Sequence, residues 1–461
     1  MSIIKAYVLP HPPLAVPDVG RGNEKEIDKT LAALEQVSIE IAELCPETII
    51  FVTPHNVMYA DYFHISPGHA AKGDLSRFGA PSVRLDASYD IDMVAEIERL
   101  ASRINFPAGT HGERSAALDH GYTVPAWFVN QKYSAYKAVR ICQSGMDSAA
   151  HYRFGQIIAK ACDVLKRKTV LIASADLSHK LDADGPYGLA PEGAEFDKIV
   201  VRVLKTGDFL SLLAIPENLR ENAGECGYNS LAILAGCFDR QKVSSKLLSY
   251  EGPFGVGYAV ASIEPQGHDE NRAILERYTE MSLQEVSGLR AGEDHYRALA
   301  RLALEYMVKT GSELPFPNDV PEDLLKRKAG VFVSLHKNGR LRGCIGTIAP
   351  TTQSVAHEII RNAVSAGLYD NRFERVTESE LPHLVYKVDV LGVPEAISGV
   401  DELDVKRYGV IVSDGHRRGL LLPNLDGIDT VEEQVSIAGQ KAGISENAKV
   451  NLERFEVVRY E

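Results

Sequence analysis

The chain has 461 residues, of which 45% are hydrophobic and 25% charged. This is the profile of a globular protein too long for one core, and at about 100–200 residues per domain two or three domains are expected. A formal net charge of −13 argues against non-specific binding to nucleic acid or to an anionic membrane, both of which need a positive field.

No apolar run approaches the roughly 20 residues of a membrane helix. Met1 to Lys5 runs straight into a strand-like segment, without a signal-peptide pattern. The six cysteines are scattered with no CxxC spacing. That argues against a zinc ribbon or a disulfide framework, and a cytoplasmic protein is expected.

In chain order, Ile3 to Leu9 reads as a buried strand, and Ile27, Leu31, Leu34, Ile41 and Leu44 form one apolar stripe at helical spacing. Thr48 to Thr53 is a second buried strand, and Ile91 to Ile104 an amphipathic helix. Ala138 to Ile141 and Val170 to Ala173 read as strands, with a helix near Tyr152 to Lys166 between them. Ser244 to Tyr250 and Gly257 to Ile263 close the domain as two further strands. This alternation predicts an α/β sheet with helices packed on its faces.

Residues 265–293 read as a linker ending in a charged helical stretch. Beyond it, Tyr296 to Met307 is a helix. Val331 to Leu335 and Leu341 to Ile345 flank Asn338-Gly339, a hairpin signal because a type I′ turn needs positive φ at both central residues. Gly419 to Pro423 ends another strand. The second half is thus a smaller α/β domain with hairpins.

One pattern recurs in the first half. The first strand runs into Pro10-His11, the second into Pro54-His55, and the strand ending at Ala173 into Ser178-His179. If these strands are parallel, all three imidazoles emerge at the carboxyl edge of the sheet, where open α/β sheets bind ligands. Two imidazoles and a carboxylate would make the facial triad of non-haem Fe(II) oxygenases, with positions left open for substrate and O2. Glu225, at the start of a helix, is a candidate carboxylate. Cys226 beside it is either a small core residue or a soft ligand that would change the metal preference. His120, in Asp119-His120-Gly121, is a further candidate. His64, His69 and His111 read as surface loop residues.

With these motifs in place, residues 1–264 resemble the LigB-type class III extradiol dioxygenases and the related Memo family. The resemblance implies a three-layer α/β domain with a central mixed sheet. It implies Fe(II) held by His11, His55 and Glu225, His179 as the acid/base, and His120 hydrogen-bonding substrate or oxygen. The reaction implied opens a catechol-type ring with O2, and an imidazole suits the proton transfer because it titrates near neutral pH. Memo proteins offer a cysteine where the dioxygenases offer a carboxylate, and this chain has both. Cys226 is therefore the alternative ligand, zinc or copper the alternative metals, and a metal-bearing module without dioxygenase turnover the alternative function.

Residues 294–461 resemble the AMMECR family through Leu341-Arg342-Gly343-Cys344-Ile345-Gly346, with support from Asp370 to Phe373, Val412 to Gly415, Arg417 to Pro423 and Gln440 to Gly443. The resemblance implies a fold rather than an activity, and hints at a radical-SAM protein as partner. A homo-oligomer is also expected. Cys344 could act as a nucleophile if a cation lowers its pKa, and Arg342 shares its face on a regular strand. Arg417 and Arg418 could bind a carboxylate or phosphate.

Overall fold

In the computed structural model, which describes residues 2–112, 117–425, 427–445 and 448–461, the chain divides into two units, one ending at Thr279 and the other beginning at Glu280. The first unit is built on strand β1 (Ile3–Leu9), helix α1 (Asp28–Leu44), β2 (Thr48–Thr53), α2 (Ile91–Arg103), α3 (His120–Asn130), β3 (Lys137–Cys142), α4 (Ser148–Leu165), β4 (Thr169–Ser174), α5 (Pro191–Thr206), α6 (Tyr228–Cys237), β5 (Gln241–Glu251) and β6 (Tyr258–His268). These six strands form one sheet in the order β3-β2-β4-β1-β6-β5. The first four are parallel, and β6 and β5 add antiparallel to the β1 edge, so the sheet is mixed, as expected.

Alternation along β1 explains the three layers. Ala6 and Val8 point into one apolar cluster with Phe154, Ile158, Val200 and Leu231. Tyr7 and Leu9 point into the other, with Leu34, Val37 and Val124. Helices therefore cover both faces, and β2 and β4 are buried at every position, as central parallel strands must be. The helix starts follow the sequence: Asp90, Asp119 and Asp147 each accept a hydrogen bond from an amide of the first turn that follows.

β6 continues to His268, and after one 3₁₀ turn the helix α7 (Ile274–Ala291) carries the chain into the second unit. That unit contains α8 (His295–Thr310), β7 (Val331–Lys337), β8 (Arg340–Gly346), α9 (Val355–Leu368), β9 (Leu384–Leu391), β10 (Glu395–Ile397), β11 (Gly409–Ser413), β12 (Arg418–Leu421), α10 (Val431–Lys441), β13 (Asn451–Phe455) and β14 (Val457–Tyr460). Two four-stranded sheets result, ordered β8-β7-β9-β14 and β10-β13-β11-β12. Asn338 and Gly339 both have positive φ, at 53° and 82°, and turn β7 into β8 as their sequence predicts.

The β7–β8 pairing carries one irregularity. Leu335 pairs with Gly343, but His336 pairs with Leu341, so Arg342 is the extra residue of a bulge. Alternation breaks there, and the expectation that Arg342 and Cys344 share a face fails. Arg342 turns instead to Glu380, whose carboxylate accepts two hydrogen bonds from it at 3.1 Å. Gly343 is required by packing, because a Cβ at that position would lie 2.1 Å from the Ala366 carbonyl oxygen on α9.

Candidate metal centre

Because β2, β4 and β1 are adjacent and parallel, their carboxyl ends share one edge, and the two Pro-His turns bring their rings together there. Nε2 of His11 and Nε2 of His55 lie 3.0 Å apart. Cys226 Sγ lies 3.6 Å from His11 Nε2. The ligand atoms of His11, His55 and Cys226 all fall within 4.8 Å of one another, and this is the group of metal-capable donors found among the described residues. The His120 ring stacks on His55 at 4.1 Å between centroids and meets His11 at 5.5 Å. Its placement depends on Gly121, where a Cβ would lie 2.4 Å from Thr53 Oγ1 and hold the start of α3 away from the end of β2.

Hydrogen bonding sets the tautomer of His11. Ser174 Oγ donates to the Gly121 carbonyl at 2.5 Å, and that carbonyl can only accept. The serine has spent its proton, so its 2.8 Å contact with His11 Nδ1 requires Nδ1–H to donate. The lone pair of His11 is then on Nε2, facing His55 and Cys226. Such a partner behind a ligating histidine orients the ring and raises its basicity. Desolvation by burial lowers the pKa of His11, His55, His120 and His179, and for His11, His55 and His179 neighbouring imidazoles add to the effect. At neutral pH all four rings are therefore uncharged and offer lone pairs. His11 is buried while His55 is exposed, so the cluster opens to solvent on the His55 side.

The donors fit a metal ion. Two nitrogens each about 2.0–2.1 Å from one ion stand roughly 3 Å apart when their bonds are near a right angle, close to the observed separation. His179 contributes a second observation: its Nε2 is buried with no hydrogen-bond partner, an uncompensated polar atom beside the cluster. Its ring packs 5.1 Å from that of Tyr187.

Glu225, the carboxylate expected as third ligand, is not in the cluster. It accepts a 2.6 Å hydrogen bond from the Tyr228 amide at the start of α6 and serves that helix; burial pushes its pKa up to about 7. The alternative ligand, Cys226, takes its place in the group of donors. The nearest acid to His11 was not foreseen. Asp176 Oδ1 accepts from the His11 amide at 2.8 Å, and Oδ2 lies 3.7 Å from His11 Nε2; burial pushes the Asp176 pKa up to about 7. The only sequence signal for it was its position two residues beyond the end of β4. His64 also departs from expectation. It is buried in a two-residue strand, with Nδ1 3.2 Å from the His111 carbonyl.

In the C-terminal unit, Arg417 is committed to its own turn: its guanidinium holds Asp414 at 2.6 and 2.9 Å and also bonds the Gly443 carbonyl. Cys344 is half-buried, and desolvation raises its thiol pKa rather than lowering it, with Arg372 and Lys441 pulling the other way. Cys344 lines the cavity described below, and Arg342 does not.

A mixed α/β sheet with a metal-capable His-His-Cys cluster at its strand ends defines the class of protein. Residues 5–261 match the family described as the catalytic LigB subunit of aromatic ring-opening dioxygenase, and residues 297–461 match the AMMECR1 family. The chain belongs to the LigB family and carries an AMMECR1 domain at its C-terminal end. A protein of Clostridium acetobutylicum is 42% identical over 468 residues, covering 100% of this chain and 99% of its own. A protein of Thermotoga maritima is 50% identical over 171 residues, 37% of this chain and 98% of its own. A solved structure from Pyrococcus horikoshii is similar at 34% identity with a TM-score of 0.33, over 36% of this chain and 88% of its own. Among the described residues no helix is long and apolar enough to cross a membrane.

Proposed function

We propose that the N-terminal unit is a metal-dependent, oxygen-using enzyme that opens a catechol-type aromatic ring. The observation that carries this reading is the meeting of His11, His55 and Cys226 at one sheet edge with His120 and His179 beside them, in a chain of the LigB family. His11 and His55 would hold the ion with Cys226 as the third donor. Fe(II) is the metal proposed first, and such an ion supplies redox capacity and open positions for a diol and O2. The other residues would handle the substrate. His179, neutral and with its buried Nε2 unpaired, accepts the proton of a phenolic hydroxyl. His120, held against His55 and edged by Phe78 at 5.3 Å, donates a hydrogen bond to a substrate or oxygen atom. The exposed side of His55 is the way in.

A second reading rests on Cys226. A thiolate in place of the facial-triad carboxylate favours a softer ion such as copper or zinc. The unit would then be a metal-bearing module serving a partner, for instance a radical-SAM protein, without catechol turnover. Metal analysis of anaerobically purified protein, followed by O2-electrode assays of the iron-loaded form with a catechol panel, separates the two. Iron with O2 uptake, lost in His179→Gln while the metal stays, supports the enzyme. Copper or zinc, with no uptake in the iron-loaded form, overturns it in favour of the module.

A further inference from the structure

The AMMECR1 domain contains a cavity of about 730 Å³, within the range of small-molecule sites. Its lining combines apolar residues, Phe332, Leu420 and Leu422 among them, with cationic ones. Five cations and two carboxylates line it, a reversal of sign in a chain whose net charge is −13. Four of those cations are pinned in place. Arg372 pairs with Asp370, Lys387 with Glu461 and Arg418 with Glu453, each at 2.7 Å, and Arg459 pairs with Asp389 at 2.8 Å.

The fifth, Lys441, is different. It is the last residue of α10, and among the described residues no carboxylate lies within ion-pairing distance of it. Its charge interacts with the Cys344 thiol and with Arg372, and desolvation lowers its pKa. A partly desolvated ammonium facing another cation is unfavourable unless an anion arrives. The bulge at Arg342 turns Leu341 and Cys344 toward this cavity while Arg342 itself turns to Glu380.

We infer that this cavity binds a small organic oxyanion, a phosphate monoester or a carboxylate, with its charged end on Lys441, Arg372 and Arg418 and its apolar body against Phe332, Leu420 and Leu422. Cys344 borders the anion as a neutral thiol and reports its arrival, because a ligand seated there covers the sulfur. Carboxylate partners fix the geometry of the arginines, so the ligand meets a preformed fork, and Lys441 supplies the charge that is not already matched.

The test uses the full chain and follows residue-specific alkylation of Cys344 by iodoacetamide, read by peptide mass spectrometry, with the exposed Cys45 of the other unit as internal control. Phenyl phosphate, benzoate and neutral benzyl alcohol are the probes. Phenyl phosphate, benzoate or both should slow alkylation of Cys344 but not of Cys45, and the one that protects identifies the headgroup. Lys441→Ala should weaken that protection about tenfold, and Lys441→Arg should restore it. The inference is overturned by unchanged Cys344 alkylation with both anions, by equal protection from benzyl alcohol, or by full protection in Lys441→Ala.

Discussion

The two units arrange their buried polar groups in opposite ways. At the sheet edge of the N-terminal unit, imidazole nitrogens approach one another to 3.0 Å, and burial drives the rings neutral. Around the cavity of the C-terminal unit the polar groups include guanidinium and ammonium groups, and four of these five are tied to carboxylates. Neutral nitrogen and sulfur donors with free lone pairs suit a cation, whereas a fixed set of positive donors suits an anion. The same chain thus presents two sites of opposite polarity, each built by what lies behind the groups that face the ligand.

The strongest way to break this contrast is to remove a donor from the first site. His11→Ala should reduce bound metal to background by elemental analysis while leaving phenyl phosphate protection of Cys344 unchanged; metal retained in the variant would mean the cluster is not the centre. The converse is Gly343→Val, whose side chain meets the Ala366 carbonyl where even a Cβ would lie 2.1 Å away. It should destabilise the C-terminal unit by about 3 kcal/mol in denaturant titration, with metal content preserved.

Ser174→Ala sharpens the comparison without removing a ligand. It deletes the acceptor of His11 Nδ1–H, and metal affinity measured by chelator competition should fall by about 10–100-fold. Unaltered affinity would show that the serine does not set the tautomer.

The smallest effects are in the pH dependence, and they run in opposite directions. Asp197 is pushed from an ordinary value near 3.8 up to about 6 by burial, against the pull of Tyr250 and the Ser178 amide. A carboxyl raised in the folded state contributes stability that is complete below its unfolded value and is lost as pH rises through about 6. Glu380 is the reverse. Burial would raise it, but hydrogen bonds from Arg342, the Thr377 amide and Lys337 outweigh this and hold it near 2, below an ordinary value of 4.5. Its contribution is present above pH 4.5 and is lost as pH falls toward 2. In melting curves across acid pH, the stability difference between the wild type and Asp197→Asn should change between about pH 4 and 6, wild type losing relative to the variant as pH rises. The difference between the wild type and Glu380→Gln should change below pH 4.5, wild type losing relative to the variant as pH falls.

Much of the scaffold was legible beforehand, for reasons visible in particular residues. Buried strands that run into Pro-His announce themselves because a central parallel strand must be continuously apolar and a proline must end it. Asn338-Gly339 announces its hairpin because few other pairs accept positive φ twice. These are local constraints, and the chain obeys them whatever surrounds it. That His11 and His55 would meet followed from them with one added assumption, that the strands are parallel.

The choice between Glu225 and Cys226 could not be read this way. The two are neighbours in a turn without periodicity, and only the seating of α6 against the end of β4 sends the carboxylate to the Tyr228 amide and leaves the sulfur facing the imidazoles. Asp176 and Ser174 gained their roles in the same way, through contacts with residues more than 160 positions away. Regular alternation puts Arg342 on the wrong face because it hides a one-residue bulge. Sequence thus determined which elements form and which ends they share. Tertiary packing decided which side chain of each turn faces the site, because that depends on a few backbone rotations whose energies differ little until the surrounding groups are in contact.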